Sequence, residues 1–119
     1  MMKPTLVIGA SPNPDRYSNM AVRKLKKYGH DVTALAKRRD KIDDTVILDE
    51  WPENKFDTVT VYLRKDRQEE YYQKILDMHP KRVIFNPGAE NEEFAQKLRD
   101  NGIEVLEACT LVMLSTDQF

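Results

Sequence analysis

The stretch Leu6-Val7-Ile8-Gly9-Ala10-Ser11-Pro12-Asn13-Pro14-Asp15-Arg16-Tyr17-Ser18-Asn19 constrains the fold more than any other part of the chain. An apolar run of β type ends in a glycine, passes through a short polar loop and opens into a helical pattern. This is the layout of a strand–turn–helix unit in which the helix N-terminus points its unpaired N–H groups and the positive end of its dipole back at the loop. Such a turn suits a diphosphate or a nucleotide phosphate. An ordinary βα turn is the competing reading, because the second and third glycines of the dinucleotide fingerprint are replaced by Ser11 and Pro14.

Downstream the same alternation repeats. Pro4–Ile8, Val32–Ala36, Phe56–Leu63, Lys81–Phe85 and Ile103–Leu106 read as strands, with Thr45–Ile47 as a short edge strand. Helices are expected from Ser18, as its cap, to Tyr28, from an Asp66 cap with Glu69 completing a capping box, and from Glu92 to Asn101. Gly29 and Gly102 stand at helix stops, and Pro80 ends the middle helix. Asp40–Lys55 is the least regular part, with Trp51 packing over the domain edge. Strands alternating with helices call for an α/β fold, a three-layer, Rossmann-like, doubly wound parallel sheet in one domain spanning 1–119. A chain of 119 residues holds one core and not two.

In a sheet of this kind the ligand lies across the carboxyl ends of the strands, near the reversal of strand order. Four segments converge there: Gly9–Asn19, Lys37–Arg39, Leu63–Arg64 and Asn86–Gly88, with Cys109 a fifth candidate. Where NAD-binding units carry an acid for the ribose hydroxyls, this strand ends in Leu35-Ala36 followed by Lys37-Arg38-Arg39. Cations in place of a carboxylate favour a ligand with a phosphate on its adenosine ribose, as in CoA or NADP. A solvated basic turn is the alternative. Cys109 is read first as a buried structural thiol, and His30 as a solvated turn residue.

Charge balance narrows the partners. With 19 basic and 20 acidic residues, the chain has no general attraction to nucleic acid or to a membrane surface. No apolar run approaches the roughly 20 residues of a membrane span, and Met1-Met2-Lys3-Pro4 does not open a signal peptide, so a cytoplasmic location is expected. One cysteine and two separated histidines leave no metal-ligand spacing. No Ser–His–Asp set or paired carboxylates fall where a substrate would sit, so no catalytic residue is assigned.

At these same residues the sequence resembles a known family. Val7–Asn13 with Arg16–Asn19, Leu25–Val32, Phe85–Glu93, and Gly102–Val105 through Cys109–Leu114 are similar to the small stand-alone CoA-binding domain proteins, themselves like the N-terminal CoA-binding domain of the succinyl-CoA synthetase α subunit. The resemblance covers nearly the whole chain. It implies a Rossmann-like domain that binds CoA or acyl-CoA, with no established reaction. By that analogy Gly9, Ala10, Ser11, Asn13, Arg16, Tyr17 and Asn19 line the phosphate turn. Lys37 meets the ribose phosphate, Arg64 retains a cation, and Asn86, Pro87 and Gly88 border the pantetheine side. Two departures stand out: Ala36-Lys37 where the family has Asn-Pro, and Leu63-Arg64 where it has Phe-Arg.

Three functions follow, in order: a CoA-binding module; an NADP-dependent oxidoreductase or ligase-associated subunit; and an interaction or regulatory domain with a vestigial nucleotide pocket. Tyr71-Tyr72 and the apolar segment Ala108–Leu114 offer a homodimer contact, and a partner enzyme subunit is the other protein association the reading admits.

Overall fold

The computed structural model describes residues 2–119; Met1, the head of the segment read above for a leader, lies outside them. Seven strands, β1 (Thr5–Ile8), β2 (Val32–Leu35), β3 (Asp40–Ile42), β4 (Thr45–Leu48), β5 (Thr58–Val61), β6 (Arg82–Phe85) and β7 (Glu104–Glu107), form one sheet in the order β3-β4-β2-β1-β5-β6-β7. All neighbours are parallel except β3, which turns back antiparallel on β4. From β1 the chain builds outward through β2 to β4, then crosses to β5 and builds the other way. The order therefore reverses between β1 and β5, the place where doubly wound sheets open a crevice.

Four helices cover the two faces: α1 (Tyr17–Lys27), α2 (Tyr72–Met78), α3 (Glu92–Asp100) and α4 (Thr110–Ser115). The period of two in the strands decides which residue meets which layer. Leu6, Ile8, Val59, Val61, Val83 and Phe85 pack with Ile75 of α2 and with Phe94, Ala95 and Leu98 of α3. Val7, Ala34 and Ile47 pack on the opposite face with Val22 and Leu25 of α1 and Leu114 of α4. The result is the expected three-layer α/β/α sandwich. Because β1, β5 and β6 are buried along their whole length, their near-continuous apolar or threonine character is what a doubly covered parallel sheet demands.

Several local expectations are corrected. Ser18 is not the α1 cap: the helix begins at Tyr17 after an extended Arg16, with no side-chain cap, and Ser18 is buried inside the first turn. Asp66 does not cap a helix. Residues 65–71 form two single 3-10 turns, Lys65–Arg67 and Glu69–Tyr71, and α2 starts only at Tyr72, again uncapped. The physical reason is Gln68, which is buried and whose Nε2 donates to the Leu63 carbonyl at 2.8 Å and to the Ala89 carbonyl at 2.7 Å. Anchored inward there, the segment cannot wind as one helix from Asp66. The irregular stretch after Arg39 holds the β3–β4 hairpin, so β3 and not Thr45–Ile47 is the edge. His30 is half-buried, its Nδ1 accepting the Lys3 N–H at 3.0 Å and its ring edge-on to Phe119.

Trp51 does pack at the border of the core, its ring centroid 6.1 Å from that of Tyr71. Asn91 caps α3, its Oδ1 accepting the Phe94 N–H at 3.1 Å. No helix among the described residues is long and apolar enough to cross a membrane.

A candidate nucleotide cleft at the sheet reversal

Directly over the β1–β5 reversal lies a cleft of about 480 Å³, lined by Gly9, Ala10, Ser11, Arg16, Ala36, Lys37, Leu63, Asp66, Arg67, Glu70 and Tyr71. Three chain segments build it. The turn after β1 forms the floor, the end of β2 one side, and the two 3-10 turns after β5 the other.

Gly9 makes the floor low enough to approach. Its φ is +90°, a conformation that L side chains rarely adopt, and a Cβ here would lie 3.1 Å from Leu63 Cδ2 and 3.2 Å from Leu63 N. Gly9 N–H and Ala10 N–H both donate to the Leu35 carbonyl, at 2.9 and 3.1 Å, which ties the turn to the end of β2. The loop is then shaped by its own polar groups. Ser11 Oγ accepts the Asn13 N–H at 3.1 Å, and Asn13 Oδ1 accepts the Asp15 N–H at 2.9 Å. Beyond it α1 begins at Tyr17, and its first-turn N–H groups have no intrahelical acceptor.

The sequence-derived residues separate into three groups. Gly9, Ala10, Ser11, Arg16 and Lys37 are brought together in the cleft. Arg64 and Gly88 lie in a second cleft of about 470 Å³, with Lys65, Asp66, Glu69, Tyr72 and Glu93; Asp66 borders both. Pro87 is exposed in the loop beside Gly88, and Tyr17 is exposed at the start of α1.

Asn19 and Asn86 form the third group, since both are buried and their side chains are spent inside the protein. Asn19 Nδ2 donates to the Ser11 carbonyl at 2.9 Å, while its Oδ1 accepts from Arg23 Nε at 2.8 Å, so α1 itself holds the turn after β1. Asn86 Nδ2 donates to Thr60 Oγ1 at 2.6 Å and to the Val61 carbonyl at 2.9 Å, and its Oδ1 accepts the Thr110 N–H at 2.9 Å. It locks the ends of β5 and β6 to α4. Asn13 likewise works within its own turn.

Leu63 lies in a segment that the sequence places at this edge, whereas Asp66, Arg67, Glu70 and Tyr71 do not. Their signal in the sequence is faint: a polar run after a strand, which reads equally well as the first turn of a helix. Glu70 matters most, since its Oε1 lies 2.5 Å from Lys37 Nζ across the cleft mouth. The carboxylate beside it holds the Lys37 ammonium above the ordinary lysine range.

On the opposite face of the sheet the Tyr62 hydroxyl is buried beside the Thr60 and Thr110 hydroxyls, without a well-formed hydrogen bond among the described residues. Burial pushes its pKa far above the usual phenol range. Cys109, at the N-terminus of α4, is half-buried and free, and lines neither cleft.

A family model described as a CoA binding domain matches residues 3–115. The chain belongs to the CoA-binding domain family. Among solved structures, a crystal structure of an uncharacterized protein is 43% identical, covering 100% of this chain and 99% of its own, with a TM-score of 0.97. A hypothetical protein from Pyrococcus horikoshii is 20% identical over 94% of this chain and 81% of its own, TM-score 0.86. A Thermus thermophilus structure is 21% identical over 99% and 91%, TM-score 0.84. The last two speak for the shared fold alone. No curated protein sequence matches the chain. For this CoA-binding domain, the whole-chain match accords with the doubly wound sheet and with the placement of the glycine turn at its reversal.

Proposed function

We propose that the protein is a CoA or acyl-CoA binding module whose nucleotide end sits in the Gly9–Tyr71 cleft. The observation that carries this reading is convergence: the low glycine turn, the open N-terminus of α1 and the Lys37 ammonium border one cleft at the strand reversal. The diphosphate lies on the turn at Gly9, Ala10 and Ser11, where the first-turn amides of α1 and the Arg16 guanidinium meet its charge. The phosphate on the ribose goes to Lys37. The pantetheine arm leaves the cleft past Leu63 toward Arg64 and the Asn86-Pro87-Gly88 loop, along the second cleft.

The side chains present fit the group. A Cβ at Gly9 would fill the floor, three cations (Arg16, Lys37 and Arg67) border the cleft, and Tyr71 offers an aromatic wall for the adenosine. In this reading Asn13, Tyr17 and Asn19 shape the turn and Asn86 fixes the far loop; the backbone and the cations touch the ligand. Amide NMR shifts on titration with CoA test it. Perturbations should concentrate in residues 9–19, 36–38, 63–71 and 86–88. Shifts confined elsewhere, or none at millimolar CoA, would refute this placement.

A further inference from the structure

We infer that Glu70 determines how strongly the cleft distinguishes ligands with a phosphate on the ribose from those with a free hydroxyl. The inference rests on the proposed CoA reading and goes beyond it. Lys37 is the cation at the end of β2, and Glu70 reaches it from the opposite wall, with Oε1 2.5 Å from Nζ. Both residues line the same cleft, so the ion pair lies where the proposed reading puts the ribose end of the ligand.

The two chemistries pull in opposite directions. A phosphate approaching Lys37 has to displace Glu70 from the ammonium and is repelled by the carboxylate. A ribose hydroxyl does neither, and can donate to Glu70 while the pair stays closed. The other carboxylate of the cleft does not play this part: Asp66 Oδ2 lies 3.5 Å from Arg64 Nη2, drawn toward the second cleft. Arg16 and Arg67 border the cleft without a carboxylate partner among the ion pairs of the described residues, so their attraction for the diphosphate is not discounted in the same way.

The second 3-10 turn brings the Glu70 backbone to the mouth of the cleft, and the ion pair with Lys37 draws its carboxylate across. That turn follows the buried Gln68; Gln68 Oε1 also accepts from Asn91 Nδ2 at 2.9 Å. The anchor leaves Glu70 facing the end of β2. The pair is half open to water, with the Lys37 and Glu70 side chains 69% and 48% exposed, so a phosphate can exchange for the carboxylate without unfolding the wall.

The test is calorimetric titration of wild type, Glu70→Gln, Lys37→Ala and the double variant with CoA and with dephospho-CoA. Glu70→Gln should tighten CoA binding by about two- to fivefold, the scale of an exposed ion pair, and leave dephospho-CoA unchanged or weaker. In the Lys37→Ala background the gain in CoA over dephospho-CoA should shrink, because the carboxylate no longer competes for that ammonium. A merely structural role would shift both ligands together, and an unchanged affinity ratio in Glu70→Gln would overturn the inference while leaving the CoA reading intact. Failure of both wild type and Glu70→Gln to bind CoA at all would refute the reading of the cleft, and the inference with it. Binding by Glu70→Gln alone would be the extreme form of the expected result.

Discussion

A Cβ on Gly9 would stand 3.1 Å from Leu63 Cδ2, so the turn after β1 and the exit of β5 touch at the point where the sheet reverses. The contact sets the depth of the cleft, and it explains why the residue after Ile8 has to be a glycine. Gly9→Ala should lower stability by about 1–3 kcal/mol through the strained φ. It should also raise the floor of the cleft and weaken CoA binding. Thermal unfolding and calorimetry on the same variant check the two effects separately. A variant as stable as wild type with unchanged affinity would show that the turn has slack.

Lys37→Ala tests the ribose-phosphate contact. Its ion pair with Glu70 is exposed, so the melting temperature should stay near that of wild type. Binding of CoA should weaken by about three- to tenfold more than binding of dephospho-CoA. Equal losses for the two ligands would place the phosphate away from Lys37.

Asn86→Ala should act on the fold before the ligand. The substitution leaves the buried Thr110 N–H and Val61 carbonyl without their side-chain partner and breaks the link from β6 to Thr60. A loss of about 2–4 kcal/mol in urea unfolding is expected. Loss of CoA affinity with stability intact would instead make Asn86 a direct ligand contact.

The Tyr62 hydroxyl is buried beside those of Thr60 and Thr110 without a well-formed hydrogen bond among the described residues, so Tyr62→Phe should be neutral or stabilising near pH 7, within about 1 kcal/mol. The pH dependence has a definite sign. Burial raises the phenol pKa of the folded state above the ordinary 10.0. Above that value the unfolded chain releases the Tyr62 proton while the folded one keeps it, so the contribution is complete below about pH 10 and declines as pH rises further. Urea unfolding between pH 8 and 11 should therefore show wild type losing stability more steeply than Tyr62→Phe. Parallel curves would mean that the hydroxyl finds a partner or reaches water.

The parallel sheet was readable because apolar or alternating runs of β type recur between helical patterns, and because Gly9 and Gly29 take the positive φ that their connections need. The cleft lining was legible where the backbone makes it, at Gly9–Ser11, and where a charge follows a strand directly, at Lys37. It was less readable across the cleft. The two 3-10 turns owe their shape to Gln68 reaching the Leu63 and Ala89 carbonyls, the second 21 residues away, and no local pattern announces such a contact. Glu70 faces Lys37 for the same reason. Asn19 and Asn86 show the converse limit: polar residues that the family resemblance put against the ligand, whose hydrogen bonds turn inward and hold the loops beside the clefts. β3 was hidden because only four residues join β2 to it and its own sequence, Asp40-Lys41-Ile42, is mostly charged.

Titration of the wild-type protein with CoA, dephospho-CoA, NADP and NAD under one buffer and salt condition decides whether the cleft is a CoA site. CoA should bind most tightly, with a measurable drop for dephospho-CoA and a larger one for NAD. Tightest binding of NADP would turn the site toward nicotinamide chemistry, and no heat or displacement from any of the four by a folded protein would contradict the nucleotide reading of the cleft.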